Sequence, residues 1–260
     1  MPLPVWQATP EGPQVPASVN ASRNLLFSRL PAELQATWTP LLRPVQLTAG
    51  QLLLPIGQSV RQVCFPVDSV ISLLAISADG FSTMLAMVGR EGVLGLPGLM
   101  SGEPVNGEAV VLNGGWALTL DIGLFVQAFE EHPAMRRLVM RYMQAFVSQI
   151  GQTALCNRFH APEEQLCTYL LRTIDRKGRQ TILVTHDQLG KLIGVRRETI
   201  SLAAARLQQR GVLTYHRGHI HVPDRAALEQ IACGCYAGVE NVYRRAYFDN
   251  DQPWGTPEAG

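Results

Sequence analysis

The sequence predicts an α+β fold: an antiparallel β domain, then a long helix, then a helix-turn-helix closed by a β-hairpin. Three observations carry that expectation. Between residues 43 and 121, short apolar runs (LLLPI, VCFPV, VISLLAI, MLAMV, AVVL, ALTL) alternate with turn signals about every ten residues, the texture of a sandwich or barrel. After Pro133, the residues Val139, Met143, Phe146, Ile150 and Thr153 recur at spacings of 4, 3, 4 and 3, a heptad-like seam. In residues 185–210, two helical patterns flank Gly194, and β-type alternation comes after them.

Taken in order, residues 1–20 hold five prolines and few apolar side chains, so they read as a disordered leader. Residues 24–42 are helical in pattern, with Leu25, Leu26, Phe27 and Leu30 before Pro31 and Leu34, Trp38, Leu41 and Leu42 after it. The β region comes next. A short helix near residues 123–131 leads to Pro133, which suits a helix start because its missing N–H costs little there. Pro162 opens another helix, with Gln165, Leu166, Tyr169, Leu170 and Ile174 as its packing face.

The helix-turn-helix is the most informative stretch. Thr185 and Gln188 stand at capping-box spacing, and Leu189, Leu192 and Ile193 form one apolar face. Gly190 admits a close neighbour, and Gly194 supplies a left-handed turn. In the second helix Ile200, Ala203, Ala204 and Leu207 make a buried stripe, leaving Arg197, Glu198, Ser201, Ala205 and Gln208 outside. An arginine fork matches the O6 and N7 acceptors of guanine, and a carboxylate accepts from the cytosine amine. Gly211 ends this helix. Residues 212–216 and 219–222 then form a hairpin around Arg217-Gly218, a wing.

The run THDQLGKLIGVRRETISLAAARLQQRGVLTYHRGHIHV resembles the winged helix of the Crp–Fnr regulators, the cyclic-AMP receptor protein family. The order and length of the β region resemble that family's cyclic-nucleotide-binding-like β-roll sensor. The resemblance implies a DNA-binding transcription regulator that is not an enzyme. Its partners would be double-stranded DNA carrying a palindromic operator, a second copy of the chain as homodimer, and RNA polymerase. The candidate DNA-contacting residues are Thr185, His186, Arg196, Arg197, Glu198, Ser201 and Arg217, and the candidate dimer interface is the seam of Val139, Met143, Phe146, Ile150 and Thr153. One departure concerns Leu202, which stands where the family often places a further arginine. The implied domains are a leader (1–20), a β-roll with flanking helices (21–132), a dimerisation helix (133–157), a winged helix (158–236) and a C-terminal extension and tail (237–260).

Charge is unevenly spread: the net formal charge is +1, but residues 155–232 carry 12 Lys+Arg against 7 Asp+Glu, and five of the six histidines. That basic excess coincides with the helix-turn-helix. The five cysteines, an odd and scattered set without a secretory signal, point to a reducing cytoplasm. No stretch reaches the roughly 18 apolar residues of a membrane span.

The effector is not legible. The resemblance implies, as in the family's cyclic-nucleotide branch, a glycine-rich turn with a Glu followed by an Arg-Ser pair that holds the phosphate. Residues 89–92 or 91–95 can supply the turn, with Arg90, Glu91 and Gly92 as the candidate effector contact, but the later position falls near Gly107-Glu108. A carboxylate there repels a cyclic phosphate, which argues against cyclic AMP. No cysteine precedes Val45, which argues against an N-terminal iron–sulfur cluster. The cofactor is therefore unknown. Cys233-Gly234-Cys235 is awkwardly spaced for a disulfide and has too few neighbouring ligands for zinc, so no metal site is assigned. The competing reading is a barrel-based small-molecule-binding protein or enzyme whose helix-turn-helix docks protein. No Ser-His-Asp, metal-ligand or phosphate-loop constellation supports it.

Overall fold

The computed structural model describes residues 16–248, except 18 and 81. Of the leader expected at residues 1–20, only 16, 17, 19 and 20 fall inside the described residues, and the tail at 249–260 lies outside them. By its internal contacts the chain divides into two units, residues 1–71 with 88–144 and residues 72–87 with 145–260.

The first unit opens on helices α1 (Leu25–Ser28) and α2 (Ala32–Trp38). Asn24 is fully buried, and its side chain joins three segments. Its carbonyl oxygen accepts from Phe27 N–H (3.0 Å), while its amide donates to the carbonyls of Pro66 (2.9 Å) and Gly92 (2.8 Å). A buried amide satisfied this fully fixes the approach of α1 to the strands. The strands in chain order are β1 (Arg43–Leu47), β2 (Leu52–Leu54), β3 (Gln62–Pro66), β4 (Val70–Ile76) and β5 (Ser82–Val88). Helix α3 (Leu96–Met100) precedes β6 (Glu108–Asn113) and β7 (Gly115–Asp121). Strand β7 lies between β1 and β3, antiparallel to both, with Val45 opposite Ala117 and Phe65 opposite Leu118. Strand β2 pairs with β6, with a register shift between Leu52 and Leu54.

Helix α4 (Ile122–Glu131) is capped by Asp121, whose carboxylate accepts from Gly123 N–H at 2.8 Å. It brings Phe125 against Phe65 (centroids 6.2 Å apart) and Trp38 (5.9 Å), while Phe27 meets Phe65 edge-on at 5.6 Å. This aromatic quartet is the centre of the first core. After His132 the chain enters α5 (Pro133–Phe159), 27 residues and so about 40 Å long.

The second unit takes the paired strands β4 and β5 for most of their length, the later part of α5, and everything beyond. Helix α6 (Pro162–Lys177) comes after a two-residue joint and ends at Gly178, which adopts φ 71°. Then come β8 (Thr181–Leu183), α7 (His186–Ile193), α8 (Arg197–Gln209), β9 (Thr214–His216), β10 (His219–His221), α9 (Arg225–Ile231) and α10 (Cys235–Tyr247). The expected hairpin is present, and β10 also pairs with β8 to give the order β8-β10-β9.

The segment from Tyr236 onward is part of this core. Val239, Tyr243 and Tyr247 of α10 are buried, and Tyr243 hydroxyl accepts from Gln149 Nε2 at 3.1 Å. Arg225 donates to Asp175 (2.6 Å) and to Tyr236 (2.6 Å), and Tyr236 donates to Asp175 (2.7 Å), a closed ring joining α6, α9 and α10. Asp175 is almost fully buried, so its charge depends on these donors. No helix among the described residues is long and apolar enough to cross a membrane.

Candidate nucleic-acid interface

Local chemistry sets the pose of α8. Thr185 Oγ1 accepts from Gln188 N–H (3.2 Å) and Gln188 Oε1 accepts from Thr185 N–H (2.8 Å), the reciprocal cap expected at the start of α7. Gly194 turns the chain at φ 81°. Gly190 is required by the segment beyond that turn, since a Cβ on it would lie 2.8 Å from Val195 O and 3.3 Å from Arg197 N. The backbone entering α8 therefore rests directly on α7. Ile200, Ala203, Ala204 and Leu207 face inward, all at most 5% exposed.

On the opposite side, Arg196, Arg197 and Glu198 are exposed together at the N-terminal end of α8. Thr185 is exposed at the start of α7. Arg217 is exposed at the wing tip, where it takes φ 47° and Gly218 takes 83°, the left-handed pair that a two-residue hairpin turn requires. Leu202 is 55% exposed on α8.

Two of the sequence candidates are scaffold as much as surface. Ser201 is half-buried; its hydroxyl donates to Arg197 O (3.0 Å) and lies 2.9 Å from His186 Nδ1. With the serine proton committed to the carbonyl, Nδ1 carries the histidine proton and donates to Ser201. The His186 ring stacks on Tyr215 of β9, centroids 4.1 Å apart and planes 24° apart. Its buried Nε2 has no hydrogen-bond partner. Burial, and secondly the positive charge of Arg197, hold the imidazole below its ordinary pKa and favour the neutral ring. His186 thus ties α7, α8 and the wing together. Sequence reasoning missed Tyr215, for which no periodic signal exists.

The candidate effector residues are enclosed by their own turn. Glu91 is fully buried and its carboxylate accepts from Gly89 N–H (3.1 Å to each oxygen). Gly92 is also buried, and a Cβ on it would collide with the ring of Tyr142, whose hydroxyl donates to Val93 O at 3.1 Å. Only Arg90 of the three is partly exposed.

The expected seam needs a shift of register. Val139 is 0% and Thr153 5% exposed, both covered by their own chain, and Thr153 Oγ1 donates to Gln149 O at 2.8 Å. Met143, Phe146 and Ile150 are half-buried. The large apolar residues α5 leaves open include Met140 (53%), Val147 (66%), Leu155 (43%) and Phe159 (73%); Met140 and Val147 share a stripe with Ala154, exposed seven residues beyond Val147. A heptad seam on the open face therefore runs through 140, 143, 147, 150 and 154, one residue beyond 139, 146 and 153 at three of its five places.

The sequence assigns no metal site because it finds too few ligands near Cys233 and Cys235, and the structure adds two. Cys233 and Cys235 do not stand alone: Cys156, in the last turn of α5, and His160, just after its end, join them, and all four ligand atoms lie within 4.8 Å of one another. The pairing of residues 73 or more apart in sequence is invisible to a count of local neighbours.

Comparison with known proteins bears on the same helices. Residues 164–231 match the family model of the Crp-like helix-turn-helix domain. No curated protein matches the chain. Among solved structures, FixK2 from Bradyrhizobium japonicum is similar at TM-score 0.63 and 16% identity, covering 74% of this chain and 98% of its own. A putative crp/fnr-family transcriptional regulator from Eubacterium rectale gives TM-score 0.61 and 13% identity, covering 79% and 96%. A CRP-family transcriptional regulator from Thermus thermophilus gives 0.59 and 18%, covering 72% and 95%. At such identities the structural likeness establishes the shared fold.

Proposed function

We propose that this chain, a DNA-binding transcription regulator of the Crp–Fnr type carrying a Crp-like helix-turn-helix domain, reads a palindromic operator as a homodimer. The observation that carries the reading is the joint exposure of Arg196, Arg197 and Glu198 at the free end of α8, whose other face is locked into the core. Insertion of that end into the major groove places the Arg197 fork and the Glu198 carboxylate against base edges, with Arg196 and wing-tip Arg217 left for phosphate. Leu202 then favours a thymine one turn along. The dimer would form through the open stripe of Met140, Met143, Val147, Ile150 and Ala154 on α5. A two-fold axis along that helix pairs two reading heads with a palindrome.

A cytoplasmic location and contact with RNA polymerase belong to the same reading. The turn at residues 89–92 offers a cyclic phosphate little: the Glu91 carboxylate is engaged by Gly89, and Glu108 presents a like charge. Selection of bound sequences from random duplex DNA, with footprinting on the enriched site, tests the proposal. An inverted repeat with half-sites about one helical turn apart is expected. Enrichment of no sequence would leave α8 as a protein-docking helix.

A further inference from the structure

The quartet at the end of α5 is a better-formed site than any other cluster of reactive side chains among the described residues. His160, just past the end of α5, is tied back by its N–H to Cys156 O (3.1 Å), so the two residues, four apart, fall on the same side of the helix end. Cys233 and Cys235 flank Gly234 at the start of α10, where free backbone N–H groups and the helix dipole favour anionic sulfur. Cys156 Sγ lies 3.5 Å from Cys233 Sγ, and Cys235 Sγ lies 3.3 Å from His160 Nδ1. A tetrahedral zinc with bonds of about 2.0–2.3 Å sets its ligand atoms about 3.5–3.8 Å apart, close to these edges. A multi-iron cluster would need its thiols spread around several metal atoms.

We propose that Cys156, His160, Cys233 and Cys235 bind one zinc ion through three thiolates and one imidazole nitrogen. The surroundings suit that charge state. Three thiolates and a neutral imidazole on Zn²⁺ leave one negative charge, and Arg172, only 4% exposed, donates to Cys235 O at 2.9 Å. Its buried Nε has no acceptor, so a cation stands here without a full set of partners, as a metal–thiolate anion would repair. Around the ligands, Gln152 Nε2 donates to Cys235 Sγ (3.1 Å) and Thr168 Oγ1 is 3.2 Å from Cys233 Sγ. Gln165 Nε2 donates to the carbonyls of Cys156 (3.2 Å) and His160 (2.7 Å), holding the last turn of α5 in place. Such outer partners orient ligands in metal sites. The cysteine thiols lose their protons to solvent as the metal enters, so binding weakens at low pH.

The test uses the full chain, purified with reductant and without chelator. One zinc per chain by mass spectrometry is expected, with the three cysteine ligands protected from thiol reagents until the metal is removed. After removal, Co²⁺ should restore stoichiometric binding with the visible bands of tetrahedral cobalt thiolate, and added Zn²⁺ should displace it and raise the melting temperature. Cys235→Ser should weaken zinc binding by more than the roughly 10–100-fold typical of losing an outer-shell partner. Cys64→Ala, in the other unit, should leave it unchanged. Reduced protein that takes up neither Co²⁺ nor Zn²⁺, or equal losses in both variants, overturns the proposal. So does a Cys156–Cys233 disulfide in metal-free protein purified under reductant. Cobalt uptake by the unsubstituted chain keeps the test decisive if Cys235→Ser fails to fold.

Discussion

On the proposed reading Arg196 and Arg197 are neighbours with different tasks, and substitution should separate them. Arg197→Ala removes a bidentate base contact, at a cost of about 1–3 kcal/mol on the preferred operator and with relaxed preference at one base pair. Arg196→Ala should weaken every sequence alike and lower the salt slope by about one. Competition binding on specific and random duplexes at several salt concentrations reads both. Equal loss on both duplexes for Arg197→Ala would make it a phosphate contact. His186 carries a different kind of prediction. Its folded pKa lies below the ordinary imidazole value of 6.5, so the unfolded chain takes up a proton that the folded chain refuses. Stability attributable to the neutral ring is therefore complete above that value and declines as pH falls from it toward the folded pKa. Melting of the intact chain and of His186→Asn at about pH 7.5 and about pH 5.5 should show a smaller acid-induced drop in the variant. An identical drop in both would assign the acid sensitivity elsewhere.

Helix α5 is where element-scale reasoning both succeeds and fails. Its start at Pro133 is legible because proline at a first helical position is a local signal. Its seam is displaced by one residue from the periodic expectation, because apolar side chains stand at both 139 and 140 and at both 146 and 147. Periodicity finds the stripe, but only packing shows which side the chain covers itself. Val147→Asp should yield folded monomers in sedimentation with loss of operator binding. Val139→Asp, which buries a carboxylate in the chain's own core, should fail to fold at all. A dimer surviving Val147→Asp would move the interface off this stripe. The helix-turn-helix and wing are legible nearly in full, since caps, glycines and turn pairs act within a few residues. The inward engagement of Ser201 is not, because it depends on a histidine fifteen residues upstream. The four-residue spacing of Cys156 and His160 is present in the sequence, yet only the return of α10 gives it meaning.

For the whole molecule, turn spacing and motif suffice to assign the β domain and the winged helix, whereas for α10 the apolar residues Val239, Tyr243 and Tyr247 mark a packing face without saying what it meets. Its polar partners, such as Gln149 and Asp175, lie far away along the chain, where hydrophobic patterning does not reach. The same distance effect hides the closeness of Gly92 to Tyr142. That contact has no slack: the glycine carries no side chain, the tyrosine ring already occupies the space, and its hydroxyl is tethered next door at Val93. In mechanical terms the turn and the helix form a rigid strut rather than a cushion. A displacement of the turn would then be felt as motion of α5, the helix on which pairing of two copies would depend.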